Sequence, residues 1–176
     1  MSRPQPATHL EPGDYQHLGL GTILRVHSDA VGVLVTHDER RLVTVRAVGA
    51  GERIFYLEGR ETPTPTRYSV QIGRGLHIDQ DDTRNAGERM GRYFFRFMNH
   101  HCEPSTEIRD RYVIARRDIA AGEDVTFDYN TTEYDMAEPF ACRCGSARCV
   151  GVVRGARHLT AEQRALVEHS LPDYLK

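Results

Sequence analysis

Apolar positions along this chain fall in short, interrupted runs, not in long helical stripes. Thr22 to Val26, Val31 to Thr36, Leu42 to Val45, Arg67 to Gly73, Leu76 to Asp79 and Tyr112 to Ala115 each read as a brief strand bounded by Gly, Asp, Ser or Arg. Asp124 to Tyr129 alternates, which puts Val125, Phe127 and Tyr129 on one face of a strand that ends on a phenol. Only one central segment has helical spacing: Glu88 to Met98, with Met90, Phe94, Phe97 and Met98 recurring. Near the C-terminus, Thr160-Ala161-Glu162-Gln163 has the form of a capping box. Leu166 and Val167 supply an apolar face there, and Pro172 ends the helix. The pattern predicts a mainly β fold with few short helices.

Two segments repeat one another. Arg46 to Phe55 and Arg117 to Thr126 both read Arg-x-apolar-x-Ala-Gly-Glu-x-apolar, each between strand-like runs. Glycine supplies the backbone freedom for a reversal, so the repeat predicts two similar strand–turn–strand corners. Gly19-Leu20-Gly21 is read as a turn beside the first strand, His37 to Arg41 as a solvated charged loop, and Thr62-Pro63-Thr64-Pro65 as a stiff surface loop.

A chain of 176 residues is long enough for one domain with a real core. Its 23 Lys+Arg against 25 Asp+Glu leave a net charge of -2, which argues against wrapping nucleic acid; no direct sequence-specific nucleic-acid binding is expected. No apolar run reaches membrane-spanning length, and Met1 to Pro12 lacks a signal-peptide core, so a cytoplasmic, membrane-free setting is expected. Residues 1–13 are expected to form a mobile tail, being rich in Pro and polar groups.

The four cysteines then need an explanation other than disulfides. Cys142, Cys144 and Cys149 lie close together around Gly145-Ser146, and Cys102 is the one thiol left to complete a four-ligand set. That arrangement reads as a closed structural zinc site, with unrelated thiols as the alternative. Cys102 itself lies in the stretch Arg96 to Pro104, where an aromatic and Met run delivers Asn99, His100 and His101 to the edge of a core. Taken alone, that stretch is also a helix end with a polar cap.

Three motifs coincide in order: Arg-Phe-x-Asn-His-x-Cys-x-Pro at 96–104, Gly-Glu-x-x-Thr-Phe-Asp-Tyr at 122–129, and Cys-x-Cys-Gly-x-x-x-x-Cys at 142–149. Together with Ala50-Gly51-Glu52 and His77-Ile78-Asp79, they resemble the SET-domain protein methyltransferases with a post-SET segment. The resemblance covers roughly residues 33–155. It implies a β-clip of small curved sheets in which the Asn-His segment and the Tyr strand lie side by side in a knot-like threading. It implies a SET domain over 14–135 and a zinc-binding post-SET segment over 136–155; the capping-box pattern makes 156–176 the C-terminal helix. It further implies S-adenosylmethionine as methyl donor, S-adenosylhomocysteine as product and structural zinc on Cys102, Cys142, Cys144 and Cys149. By its pattern Arg96, Phe97, Asn99, His100, Tyr129 and Phe140 line the cofactor pocket. Tyr129 faces the methyl donor, Phe127 limits how many methyls a lysine receives, and Tyr68 is a second channel aromatic.

The chain departs from the family at two places. The Gly-x-Gly expected before the corner at 50–52 falls on Glu39-Arg40-Arg41, and the family's Asn-His-Ser-Cys-Asp-Pro-Asn reads Asn-His-His-Cys-Glu-Pro-Ser, so that Ser105 is expected to support its loop less well. The acceptor implied is a protein lysine. A small-molecule amine is the rival acceptor, and a zinc-stabilised binding module without turnover is the reading from another class.

Overall fold

The computed structural model describes residues 21–176, so Gly19-Leu20 and the expected tail lie outside the described residues. Among the described residues, thirteen short strands and two α-helices follow in order. They are β1 (Thr22–Arg25), β2 (Val31–Val35), β3 (Arg40–Thr44), β4 (Arg53–Tyr56), β5 (Arg60–Thr62), β6 (Val70–Gly73), β7 (Leu76–Asp79), α1 (Ala86–Arg92), β8 (Asn99–His100), β9 (Thr106–Arg109), β10 (Tyr112–Ala115), β11 (Thr126–Phe127), β12 (Phe140–Ala141), β13 (Val152–Val153) and α2 (Ala161–Val167). The strands make three three-stranded sheets, β1-β2-β3, β4-β10-β9 and β5-β7-β6, and two two-stranded ones, β11-β8 and β12-β13.

The repeated corners pack on each other as a pseudo-two-fold pair. Val48 and Ile119 exchange both backbone hydrogen bonds at 2.9 Å. Thr44 N–H donates to the Glu123 carbonyl and Ala115 N–H to that of Glu52, both at 3.0 Å; Gly122 N–H returns to Thr44 and Gly51 N–H to Ala115, both at 2.8 Å. Gly51 and Gly122 carry φ of +81° and +91°, the left-handed turn that the Ala-Gly-Glu pattern predicts. Inside each corner the Glu carboxylate caps a backbone N–H, that of Gly49 or Ala120, and pairs with Arg46 or Arg117.

One core gathers Val33, Leu42, Val48, Leu57, Ile78, Phe94, Met98, Val113, Ile119 and Val125, and a smaller cluster of Ala156, Leu171 and Leu175 seats the C-terminal segment. The expected helix from Glu88 to Met98 is split. α1 ends at Arg92, Tyr93 leaves helical geometry (φ -103°, ψ 43°), and Phe94–Phe97 form a 3-10 turn. A continuous helix spreads consecutive side chains around its axis; the break lets Tyr93, Phe94 and Phe95 all be buried. The expected strand at 124–129 keeps only Thr126–Phe127. The Asp128 side chain accepts from Asn130 N–H, and Tyr129 opens a 3-10 turn instead of closing a strand. β6 likewise starts at Val70, because Thr66 to Ser69 form a hydrogen-bonded turn. The capping box of α2 is present, but Leu166 lies exposed and Val167 alone meets the satellite cluster.

After β13 the chain returns to the body. Gly155 (φ +105°) packs against the Tyr134 carbonyl, where a Cβ would lie 2.6 Å from the oxygen, and its N–H reaches Asn130 at 3.0 Å. Further on, the Tyr174 hydroxyl donates to the carbonyls of Gln71 (2.8 Å) and Thr132 (3.2 Å). Gly155→Ala is expected to destabilise the protein by about 2 kcal/mol or more, whereas Gly49→Ala, with open space around it, stays within about 0.5 kcal/mol of wild type. Urea denaturation of both variants measures this.

Candidate active site and metal centre

β8 and β11 pair in parallel, Asn99 with Thr126 and His100 with Phe127, and His101 N–H extends the pairing to the Phe127 carbonyl at 3.2 Å. This short ladder brings the Asn-His segment beside the Phe-Asp-Tyr segment. Ser105 tightens it: its hydroxyl donates to the Asp124 carbonyl (2.8 Å) and accepts from Thr126 N–H (3.0 Å), while its own N–H donates to Thr126 Oγ1 (3.1 Å). The serine that stands where the family pattern has asparagine is therefore a buried tie and not a weak point.

The His100 side chain is almost fully buried. Its Nδ1 accepts from the backbone N–H of Tyr129 at 3.2 Å, which assigns the ring hydrogen to Nε2, aimed at Cys102 Sγ 3.2 Å away. Burial, helped by His101, pushes the His100 pKa down to about 4, so the ring is neutral at physiological pH. The Tyr129 hydroxyl donates to the Met98 carbonyl at 2.7 Å, and burial pushes its pKa up to about 12, so it stays a neutral phenol. Around it the ring centroids of Phe127, His100 and Phe140 lie at 4.6, 5.4 and 5.9 Å. Arg96 lies over Tyr68 at 4.4 Å and Phe97 at 5.4 Å and hydrogen-bonds the Gln80 side chain; its Nε is buried without a partner.

Tyr68, Arg96, Phe97, Asn99, His100, Phe127, Tyr129 and Phe140 all line one cleft of about 1220 Å³. The turn at 36–39, with Arg40, forms part of its rim. There Thr36 Oγ1 accepts from the N–H groups of Asp38 and Glu39, and Glu39 returns its carbonyl to Thr36 N–H at 3.0 Å. A hydroxyl-capped turn with no positive φ replaces the glycine loop expected of the family. Arg41 then anchors β3 to Asp124 at 2.9 Å.

The sulfur atoms of Cys102, Cys142, Cys144 and Cys149 lie within 4.8 Å of one another, and Cys102 to Cys142 is 3.9 Å. Zinc–thiolate bonds of about 2.3 Å in a tetrahedron place sulfurs about 3.8 Å apart, so the donor set fits such an ion. Val150 N–H points at Cys102 Sγ (3.5 Å) and Gly151 N–H at Cys149 Sγ (3.4 Å), backbone contacts that orient these two sulfurs. His101 is not part of the cluster; its Nδ1 accepts from Glu103 N–H at 2.9 Å.

Two residues of the cleft region carry chemistry that sequence reading missed. Glu133 lines the cleft, and its N–H donates to the Tyr129 carbonyl at 2.9 Å, closing a helical turn. Its carboxylate accepts from Gln71 N–H at 2.7 Å and lies 3.7 Å from His77 Nε2. Burial pushes the Glu133 carboxyl up to about 7 and the His77 ring below its ordinary value. The available signal was the four-residue spacing from Tyr129, which puts both side chains on one side of a turn.

Residues 32–130 match the SET domain, more than half of the chain, and the chain belongs to the SET-domain family. Methyltransferase flvH of Aspergillus flavus is 36% identical over 103 residues, 56% of this chain and 52% of that protein. The histone-lysine N-methyltransferase ash1 of Drosophila melanogaster is 38% identical over 96 residues, 50% of this chain and 4% of that one. An H3 lysine-36 specific histone-lysine N-methyltransferase of Yarrowia lipolytica is 42% identical over 138 residues, 65% and 17%. The chain thus spans about half the length of the first and a small part of the others. Among solved structures, KRYPTONITE in complex with mCHG DNA and SAH aligns with a TM-score of 0.53 at 20% identity, covering 74% of this chain and 30% of that one. Arabidopsis thaliana SUVH6 in complex with SAM aligns at 0.51 and 17%, covering 73% and 34%. Both share the fold.

Ser105→Ala leaves the buried Thr126 N–H without its acceptor and is expected to cost about 1–3 kcal/mol in urea denaturation.

Proposed function

We propose that this chain is an S-adenosylmethionine-dependent N-methyltransferase whose acceptor is a lysine amine on a protein. The observation that carries the proposal is the neutral Tyr129 phenol, ringed by Phe127, His100 and Phe140 in the cleft that also holds Asn99 and Arg96. The histone-lysine N-methyltransferases among its relatives support the acceptor class.

When bound, S-adenosylmethionine supplies an electrophilic methyl group on a sulfonium sulfur. Arg96, Phe97, Asn99, His100 and Phe140 are the residues that would hold it, and the unpartnered buried Nε of Arg96 is a donor suited to such a ligand. The acceptor must react as a free amine, while free lysine has a pKa near 10.4. Apolar ring faces and a nearby positive charge disfavour the ammonium and lower that pKa. Tyr129 offers its hydroxyl oxygen to orient the amine, and the fixed rings restrict approach to one direction; positioning supplies most of the acceleration. Phe127 has no hydroxyl to hold a water, which leaves room for repeated methylation. The thiol cluster would bind zinc in a closed, structural site, since four sulfurs leave no open position. It would tie the 142–149 segment, and with it Phe140, to the strand that carries Asn99. Four free thiols suit a reducing, intracellular compartment.

Tyr129→Phe and Asn99→Ala are each expected to lower labelled-methyl transfer to a histone H3 peptide by about 10²-fold or more. Phe127→Tyr is expected to shift the product toward fewer methyls by mass spectrometry. Preferential transfer to free amines over peptides would instead favour the small-molecule acceptor. An intact fold that binds no S-adenosylmethionine in calorimetry would favour the binding module. Wild-type protein is expected to carry one zinc per chain by emission spectroscopy, and Cys102→Ser to lose it together with ordering of the 142–149 segment.

A further inference from the structure

We propose that Glu133 is the proton acceptor for the incoming ammonium; this rests on the methyltransferase reading. The geometry is that of a carboxylate built into the inner wall of the cleft. Glu133 follows Tyr129 by four residues on a hydrogen-bonded turn, so the carboxylate and the phenol share one side of it. Gln71 N–H fixes the carboxylate at 2.7 Å, and His77 Nε2 backs it at 3.7 Å. Among the described residues His77 is the one basic side chain within 4 Å of it, and burial holds that ring below its ordinary pKa, so no arginine or lysine neutralises the carboxylate. The other titratable groups facing it are the phenols of Tyr129 and Tyr174, whose pKa values its charge raises. Asp79 faces His77, whose pKa its charge raises.

Such a carboxylate is otherwise a cost. Burying a charge without a cation is unfavourable, and a glutamine there would keep an acceptor for Gln71 N–H without that penalty. A cationic acceptor entering the cleft gives the charge a partner. The N–H bond of the ammonium breaks, the proton forms an O–H bond on Glu133, and the nitrogen keeps the electron pair it needs as a nucleophile. The proton returns to solvent when Glu133 ionises again. A carboxyl held near 7 is a closer match to an amine than an ordinary one near 4.3, which is the condition for efficient transfer.

The test is the pH dependence of kcat/KM between pH 6 and 9.5, with S-adenosylmethionine as donor and Nα-acetyl-lysine amide and a histone H3 peptide as acceptor probes. Wild type is expected to rise tenfold per pH unit up to about 7 and then flatten. Glu133→Gln should be about 10²-fold slower at pH 7 and keep rising tenfold per unit through pH 9, as only free amine then reacts. Glu133→Asp should retain the wild-type limb at reduced rate, which also covers a glutamine variant that fails to fold. Independently of turnover, infrared difference spectra of ¹³C-glutamate-labelled wild type should show a carboxylic acid band titrating near 7. A uniform drop in Glu133→Gln with the wild-type profile preserved, no limb in wild type, or a band absent above pH 5 each overturns the assignment alone. No methyl transfer by wild type at any pH ends the methyltransferase reading and this inference together.

Discussion

Two residues of parallel pairing, Asn99 beside Thr126 and His100 beside Phe127, hold this site together. Parallel strands cannot be joined by a tight turn, so the intervening chain makes the β9–β10 hairpin and the second Ala-Gly-Glu corner before it returns. That detour is rigid because the second corner is locked to the first through reciprocal backbone bonds. The core-anchored residues of the cleft inherit their positions from that pair: His100 receives the Tyr129 N–H, Tyr129 reaches the Met98 carbonyl, and Cys102 turns toward the other thiols.

The cleft is therefore walled by two kinds of structure. One wall is core-anchored: Phe127, Tyr129 and Glu133 rise from buried backbone next to Gln71 and His77. The other is borrowed from segments with little core of their own. Phe140 stands on the two-residue β12, and Tyr68 stands on a surface turn, both substantially exposed. A metal bound to the thiol cluster would give the second wall the stiffness that apolar burial does not supply.

Much of this was legible in the sequence, for identifiable reasons. The Ala-Gly-Glu corners were visible because a positive φ demands glycine and the capping carboxylate must sit one residue later. The thiol set was visible because few roles other than ligation bring four cysteines into this spacing. The break at Tyr93 was not, because a run of aromatic residues satisfies helical spacing and a 3-10 turn equally until the core's shape selects one. The turn at 36–39 was legible as a solvated charged turn, and His37, Asp38 and Glu39 are exposed; the Thr36 hydroxyl that caps it was not. Glu133 carried only its four-residue spacing from Tyr129 as a local signal; its burial beside His77 comes from β7, far away in the chain.

The Tyr174 latch has a consequence for how the molecule is made. Its hydroxyl closes on carbonyls of Gln71 and Thr132, and Gly155 seats on the Tyr134 carbonyl, so the last residues of the chain buttress a turn laid down much earlier. Contacts so distant in sequence form late. On a ribosome the nascent polypeptide would carry an open, thiol-bearing and half-walled groove until Tyr174 has left the exit tunnel.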